Sequence, residues 1–328
     1  MRWLLHILAT MILLATAAGC AQPTPPLTAP PPTNVPTATV AAAATATVEM
    51  VETSETTEQE MQDKGVVTVG VANVYREPSK AVEMVTQAIV GTEVAIWETR
   101  EDWYYVRLPD LYQGWIEASA VRRYGAEEAP YASEGQVAEV VSLLGLVYLQ
   151  PSVSAHPPVY TAPLGARLEM QAEEDTWLRV VLPDRAMRWI QKGDVTILPA
   201  GTPRPRGTGQ DVVDLATRFL GVPYLWGGTT ARGIDCSGLA QLAYHLNGVE
   251  LLRDADMQFS QPGLQSVARE DLQTGDLLFF GESSITHVGI YIDDGQFVHA
   301  TTHLRPVVQI SSLDEPRWTQ LFQGARRP

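Results

Sequence analysis

The chain has 328 residues, with 23 Lys plus Arg against 38 Asp plus Glu and a formal net charge of −15. That length exceeds one ordinary domain and allows two or three, each with its own core. The charge argues against a nucleic-acid partner, because polyphosphate binding draws on clustered Lys and Arg that this chain lacks.

At the N-terminus Arg2 precedes an apolar run from Leu4 to Ala18, followed by Gly19-Cys20. This is the layout of a secretory signal over residues 1–20, too short and too abruptly ended for a membrane span. Its end resembles the lipobox of bacterial lipoproteins, which implies that Cys20 is a lipid anchor and that the protein is membrane-tethered outside the cytoplasm. Ala17 stands where that pattern usually has Leu. Residues 21–64 are rich first in Pro, Thr and Ala and then in Glu, Thr and Gln, without hydrophobic periodicity, and read as a disordered tether. Only one other cysteine exists, Cys236; with Cys20 lipidated it has no disulfide partner and is a free thiol, either reactive or buried and inert.

From Val66 the pattern changes to short β-rich runs, and it repeats. Val74-Tyr75-Arg76-Glu77-Pro78-Ser79 recurs as Val147-Tyr148-Leu149-Gln150-Pro151-Ser152, and Gly91, Trp103, Leu108-Pro109-Asp110 and Trp115-Ile116 recur as Gly165, Trp177, Leu182-Pro183-Asp184 and Trp189-Ile190. Two copies of one small all-β unit follow, over residues 65–126 and 135–199. Their order of motifs resembles bacterial SH3-like barrels, whose Trp and Val positions fill the interior. Glu77 and Tyr112 become Gln150 and Ala186 in the second copy. Neither is needed to build the barrel, so both are free for function.

A Pro/Gly/Arg-rich linker leads to a third unit over residues 209–326. Val212, Leu215, Ala216, Phe219 and Leu220 share one helical face, and Gly221 marks its end. A second helix is expected from Cys236 to Leu246, then strands at 276–280, 287–292 and 296–301, so the class is α+β with helices first and an antiparallel sheet after. A thiol in the first turn of a helix meets unpaired N–H groups and the positive dipole end, which favour thiolate, and the N–H of Cys236 can hold an oxyanion. If Asp293-Asp294-Gly295 form the hairpin turn, Gly289 pairs with His299, and His287 and His299 become diagonal neighbours on one face. One imidazole can then take the thiol proton while the other fixes its tautomer. A Cys-His-His set could instead bind zinc, but no fourth ligand or activating carboxylate stands near it in sequence, and no metal or cofactor is expected. His156, His245 and His303 read as surface or packing residues.

The runs Pro223-Tyr224-Leu225-Trp226-Gly227-Gly228, Gly233-Ile234-Asp235-Cys236-Ser237-Gly238-Leu239, Thr274-Gly275-Asp276-Leu277, His287-Val288-Gly289-Ile290-Tyr291 and Val298-His299-Ala300 resemble the NlpC-type papain-like peptidases of bacterial cell-wall turnover. The resemblance implies Cys236 as nucleophile, His287 as general base, His299 as the orienting residue and Tyr224 as an aid to nucleophile and oxyanion. With two SH3-like units ahead, the chain looks like the subgroup that hydrolyses the γ-D-glutamyl–diaminopimelate (or L-Lys) bond of stem peptides bearing a free N-terminal L-Ala. That likeness implies an ammonium site made by Glu77, Tyr112 and Asp235, with Ser237 and Arg253 as further substrate contacts and Arg253 suited to a carboxylate. Ala255 stands where the subgroup often has Ser, which removes one hydrogen bond to substrate.

The expectation is therefore a monomeric extracytoplasmic cysteine peptidase acting on cell-wall stem peptides. An endopeptidase of intact peptidoglycan and a non-catalytic wall-binding protein are the alternatives.

Overall fold

The structure, a computed structural model, describes residues 63–125 and 127–328; the expected signal segment, Cys20 and the tether up to residue 62 lie outside the described residues. Strand β1 (Asp63–Val67) opens the first barrel, so ordered pairing begins two residues inside the stretch read as tether. It is followed by β2 (Val71–Tyr75), β3 (Met84–Ile89), β4 (Glu93–Arg100), β5 (Trp103–Arg107), β6 (Gln113–Glu117) and β7 (Val121–Arg123). The second barrel comprises β8 (Gln136–Val140), β9 (Leu144–Tyr148), β10 (Tyr160–Pro163), β11 (Arg167–Glu174), β12 (Trp177–Val181), β13 (Met187–Gln191) and β14 (Val195–Pro199).

The first sheet runs β3-β2-β6-β5-β4-β1-β7 and the second β10-β9-β13-β12-β11-β8-β14, the same order shifted by seven elements. The sequence repeat is thus a structural one. In each barrel a Tyr meets a Trp edge to face, Tyr75 with Trp103 at 5.6 Å and Tyr148 with Trp177 at 5.4 Å. Val74, Ile96, Val106 and Ile116 fill one interior and Val147, Leu168, Val180 and Ile190 the other.

In the third unit α1 (Gly209–Thr217) starts at a capping box in which the Thr208 side chain accepts from the Asp211 N–H and the Asp211 carboxylate accepts from the Thr208 N–H. It stops before the expected Leu220, because the chain turns to bury Phe219 completely and then reverses at Gly221, whose φ is +84°. A small ribbon, β15 (Thr229–Thr230) and β16 (Gly233–Ile234), leads into α2 (Cys236–Leu246), then α3 (Ala255–Ser260). The remainder is β17 (Gln265–Val267), β18 (Leu277–Phe280), β19 (His287–Tyr291), β20 (Gln296–Thr301), β21 (Val307–Ser312), α4 (Pro316–Leu321) and β22 (Phe322–Arg327). These strands form one antiparallel sheet in the order β17-β22-β18-β19-β20-β21.

Helices α1 and α2 cover one face of this sheet, joining Val212, Ala216, Leu239 and Ala243 to Val288, Ile290 and Val298. The opposite face is buried too. Leu278, Phe280 and Phe297 pack against Trp318 of α4, so helices do not all precede the sheet, and the histidine face of the hairpin has its own apolar cover.

The first barrel is joined to the third unit by side-chain hydrogen bonds. Tyr112 Oη donates to Asp254 Oδ2 at 2.8 Å, Trp226 Nε1 to Glu83 Oε1 at 2.9 Å, Arg253 Nε to Thr86 Oγ1 at 2.9 Å and Gln241 Nε2 to Asp110 Oδ2 at 3.0 Å. Gly227 sits at φ +74° with its Cα so close to the barrel that a Cβ would lie 2.6 Å from the Met84 carbonyl oxygen. Only glycine satisfies both conditions there.

Candidate active site

Cys236 is the first residue of α2, and Asp235 is its N-cap. The Asp235 carboxylate is saturated: Oδ1 accepts from Gly238 N at 2.7 Å, Arg253 Nη1 at 3.0 Å and Ser237 Oγ at 3.3 Å, and Oδ2 accepts from Gly227 N at 2.9 Å and Arg253 Nη2 at 2.6 Å. Arg253 is 1% exposed, and Ser237 Oγ accepts a further bond from its Nη1 at 2.9 Å. Asp235 and Arg253, expected to meet a substrate ammonium and a substrate carboxylate, are paired with each other; Asp235 also lines the Cys236 cavity, whereas Arg253 does not reach its wall. Their work is to hold the start of α2, and hence the thiol, against the first barrel.

The hairpin keeps the expected register. Ile290 pairs with Val298 and Tyr291 with Phe297, and the Ile292 N–H donates to the Gln296 carbonyl at 2.8 Å, which sets Gly289 opposite His299. The turn keeps its expected length and differs in conformation, with Asp294 at φ +43° as well as Gly295 at +75°. A Cβ on Gly289 would fall 2.5 Å from the Phe297 ring, so glycine leaves room for the packed rings beside it.

His287 Nε2 and His299 Nδ1 are 2.7 Å apart, and His299 Nε2 lies 3.1 Å from Ser311 Oγ. One proton arrangement satisfies this chain with His287 as a base. His287 carries its proton on Nε2 and donates to His299, and His299 donates from Nε2 to Ser311, leaving His287 Nδ1 as an acceptor. Because the two rings spend their facing nitrogens on each other, they do not converge on a metal. Trp318 stacks on His287 at 5.4 Å and meets His299 edge-on at 4.8 Å. Ser311 and Trp318 were not singled out from sequence, although Glu315-Pro316 carries a helix-start signal that could have flagged α4.

The thiol comes to β19 at the residue beside the histidine. The N–H groups of Val288 and Ser237 act on its sulfur, while burial first and the Asp235 charge second push it up to about 12. Burial therefore opposes the helix terminus, which favours the thiolate. Burial also lowers His287 from its ordinary 6.5 to about 3, helped by Arg317, and lowers His299 in the same direction. No hydrogen bond joins the thiol to either ring among the described residues, so attack couples proton transfer to substrate arrival. Since the neutral imidazole is the competent base and its pKa is depressed, the acidic limb of kcat/KM is expected below pH 6.5; a limb centred at or above 6.5 contradicts this.

Tyr224, Cys236, Asp235 and Ser237 line an open cavity of about 480 Å³ with Arg76, Glu83, Val85 and Tyr112 of the first barrel and Asp254, Ala255 and Asp256 of α3 and its approach. Tyr224 is half-buried, and burial raises its hydroxyl well above the usual range, so it remains a donor. Tyr112 reaches the cavity as expected, but Glu77 does not: it is exposed, and its side chain makes no hydrogen bond or ion pair among the described residues. The acidic residue that the barrel supplies is Glu83, bonded to Arg76 Nε at 2.6 Å and to Trp226.

The NlpC/P60 family model matches residues 221–327, and that of the bacterial dipeptidyl-peptidase Sh3 domain matches residues 74–121. The γ-D-glutamyl-L-lysine dipeptidyl-peptidase of Bacillus cereus is 32% identical over 261 residues, covering 76% of each chain. Dipeptidyl-peptidase 6 of Lysinibacillus sphaericus is 30% identical over 257 residues, 76% of this chain and 92% of that one. A crystal structure of an NlpC/P60 family protein from Bacillus cereus superposes with a TM-score of 0.71 at 27% identity, covering 80% of this chain and 99% of that one. With relatives at 30% identity or more matched over most of their length and the family model matching the catalytic unit, the chain belongs to the NlpC/P60 family of cysteine peptidases.

Proposed function

We propose that the enzyme hydrolyses the γ-D-glutamyl–diamino acid bond of cell-wall stem peptides with a free N-terminal L-Ala, releasing L-Ala-γ-D-Glu. The observation that carries this reading is the wall that the first barrel builds across the Cys236 cavity, where the Tyr112–Asp254 pair lines the same cavity as Glu83, which is held by Arg76. Burial raises the Asp254 carboxyl above its ordinary range, and the Tyr112 hydroxyl and the Arg253 charge pull it back down. A carboxylate short of positive charge in a walled cavity suits an ammonium group. The amine of L-Ala is such a group, and it lies the length of one dipeptide from the γ-carbonyl. Asp254 thus takes the part expected of Asp235, and Glu83 that of Glu77.

In this mechanism His287 Nδ1 takes the thiol proton as Cys236 Sγ attacks the γ-carbonyl carbon. The oxyanion is held by the N–H of Cys236 and the Tyr224 hydroxyl. As the C–N bond breaks, His287 passes its proton to the departing amine. It then deprotonates a water that hydrolyses the thioester, while His299 keeps the ring in its tautomer throughout. We further assign the enzyme to the outer side of the membrane, tethered through Cys20 and the Pro-rich segment, a reading supported by the sequence of residues 1–64.

Incubation with L-Ala-γ-D-Glu-diaminopimelate, followed by mass spectrometry, is expected to yield L-Ala-γ-D-Glu and free diaminopimelate. Release of fragments from polymeric peptidoglycan with no cleavage of the free tripeptide would replace this reading by that of a wall endopeptidase.

A further inference from the structure

Across His287 from the Cys236 cavity lies a second open cavity of about 760 Å³, lined by Thr301, His303, Glu282 and Arg317 among others. Tyr224 and Thr286 line both cavities, so the two are halves of one groove divided at the thiol and the ring. The inference rests on the function proposed above. With L-Ala-γ-D-Glu in the Cys236 half, the leaving residue occupies this half, bringing its carboxyl group and a side chain that ends in an amine or in an amine and a carboxylate.

Arg317 is the second residue of α4, its guanidinium 5.5 Å from the ring centre of Trp318, the same ring that stacks on His287. It is exposed to the groove and has no carboxylate partner among the described residues. It is near enough to His287 to help depress that ring's pKa. A guanidinium steadied on an aromatic face, with its donors unspent, is suited to carboxylate. Glu282 lines the same cavity, also without an ion pair among the described residues, and offers a counterpart to an amine. Because L-Lys and diaminopimelate both carry that amine, Glu282 does not tell them apart; the cation does.

We propose that Arg317 determines specificity on the leaving-group side by binding a carboxylate of the third residue, so that diaminopimelate is preferred to L-Lys. The carboxylate has two sources, the far end of diaminopimelate or the α-carboxyl of a chain-terminal third residue, and substrates separate them.

The test compares kcat/KM of the wild type, Arg317→Gln and Arg317→Lys on the pH plateau. The substrates are the diaminopimelate and L-Lys tripeptides and their α-carboxamides. A charged hydrogen bond contributes about 1.5–3 kcal/mol, so Arg317→Gln is expected to lose about 10–150-fold on diaminopimelate peptides, with or without the α-amide, and under about threefold on L-Lys peptides. Arg317→Lys should recover part of the loss. A loss shared by both tripeptides but absent from both amides would place the contact on the α-carboxyl and overturn the preference for diaminopimelate. Equal change on all four peptides means that Arg317 acts only through the field on His287, and together with no change at all it overturns the proposal. If the wild type cleaves no free-amine tripeptide, the function proposed above fails with it, an outcome distinct from cleavage that is indifferent to Arg317.

Discussion

Replacing Cys236 by Ala is expected to abolish hydrolysis while leaving the fold in place. Removing the nucleophile from an enzyme with a nucleophile–base pair costs about 10⁶-fold in kcat in the best-studied case, and a loss of at least about 10⁴-fold is expected here. Cys236 is 8% exposed and contributes one sulfur to the α1–α2 core, and its side chain caps nothing, so the stability change should stay below about 2 kcal/mol. The paired measurements are turnover of a free-amine tripeptide and thermal unfolding. Retained turnover removes Cys236 from the chemistry, and an unfolded variant would show the thiol to be a structural element.

Replacing Arg253 by Ala is expected to be the most destabilising single change in the site, although this residue never reaches the cavity. It would leave the Asp235 carboxylate buried at the cap of α2 without its cation, and truncating one partner of a buried pair costs about 3–5 kcal/mol. It would also delete the bond to Thr86, one of those holding the first barrel over the groove. Activity should fall with stability, because an uncompensated Asp235 raises the neighbouring thiol further and loosens the wall that carries Tyr112. Denaturant titration checks this, and a change below about 1 kcal/mol would mean that the pair is dispensable.

Those two residues mark what sequence could and could not disclose. The doubled barrel was legible because each copy repeats the same Gly, Trp and Leu-Pro-Asp positions, and the two sheets share one strand order. The hairpin was legible because alternation and a turn fix register over a few residues, which is enough to bring His287 to His299. Asp235 and Arg253 were named, but their pairing was not foreseen. Separated by 18 positions, they could not be seen to face each other rather than a ligand until the chain was folded. Glu77 was named from the resemblance and Glu83 was not considered; both lie in the loop between β2 and β3, and which one faces a neighbouring domain depends on how the domains dock. Helix α4, six residues long, is too short to show periodicity, so Trp318 and the second core that shields the histidines stayed hidden.

The central claim is that the groove reads a free amine one dipeptide away from the bond it cuts. The direct measurement is kcat/KM on L-Ala-γ-D-Glu-diaminopimelate and on the same peptide N-acetylated at L-Ala. Loss of the ammonium leaves Asp254 without that cation, and the free amine should be preferred at least about 100-fold. Equal rates on the two peptides would contradict it.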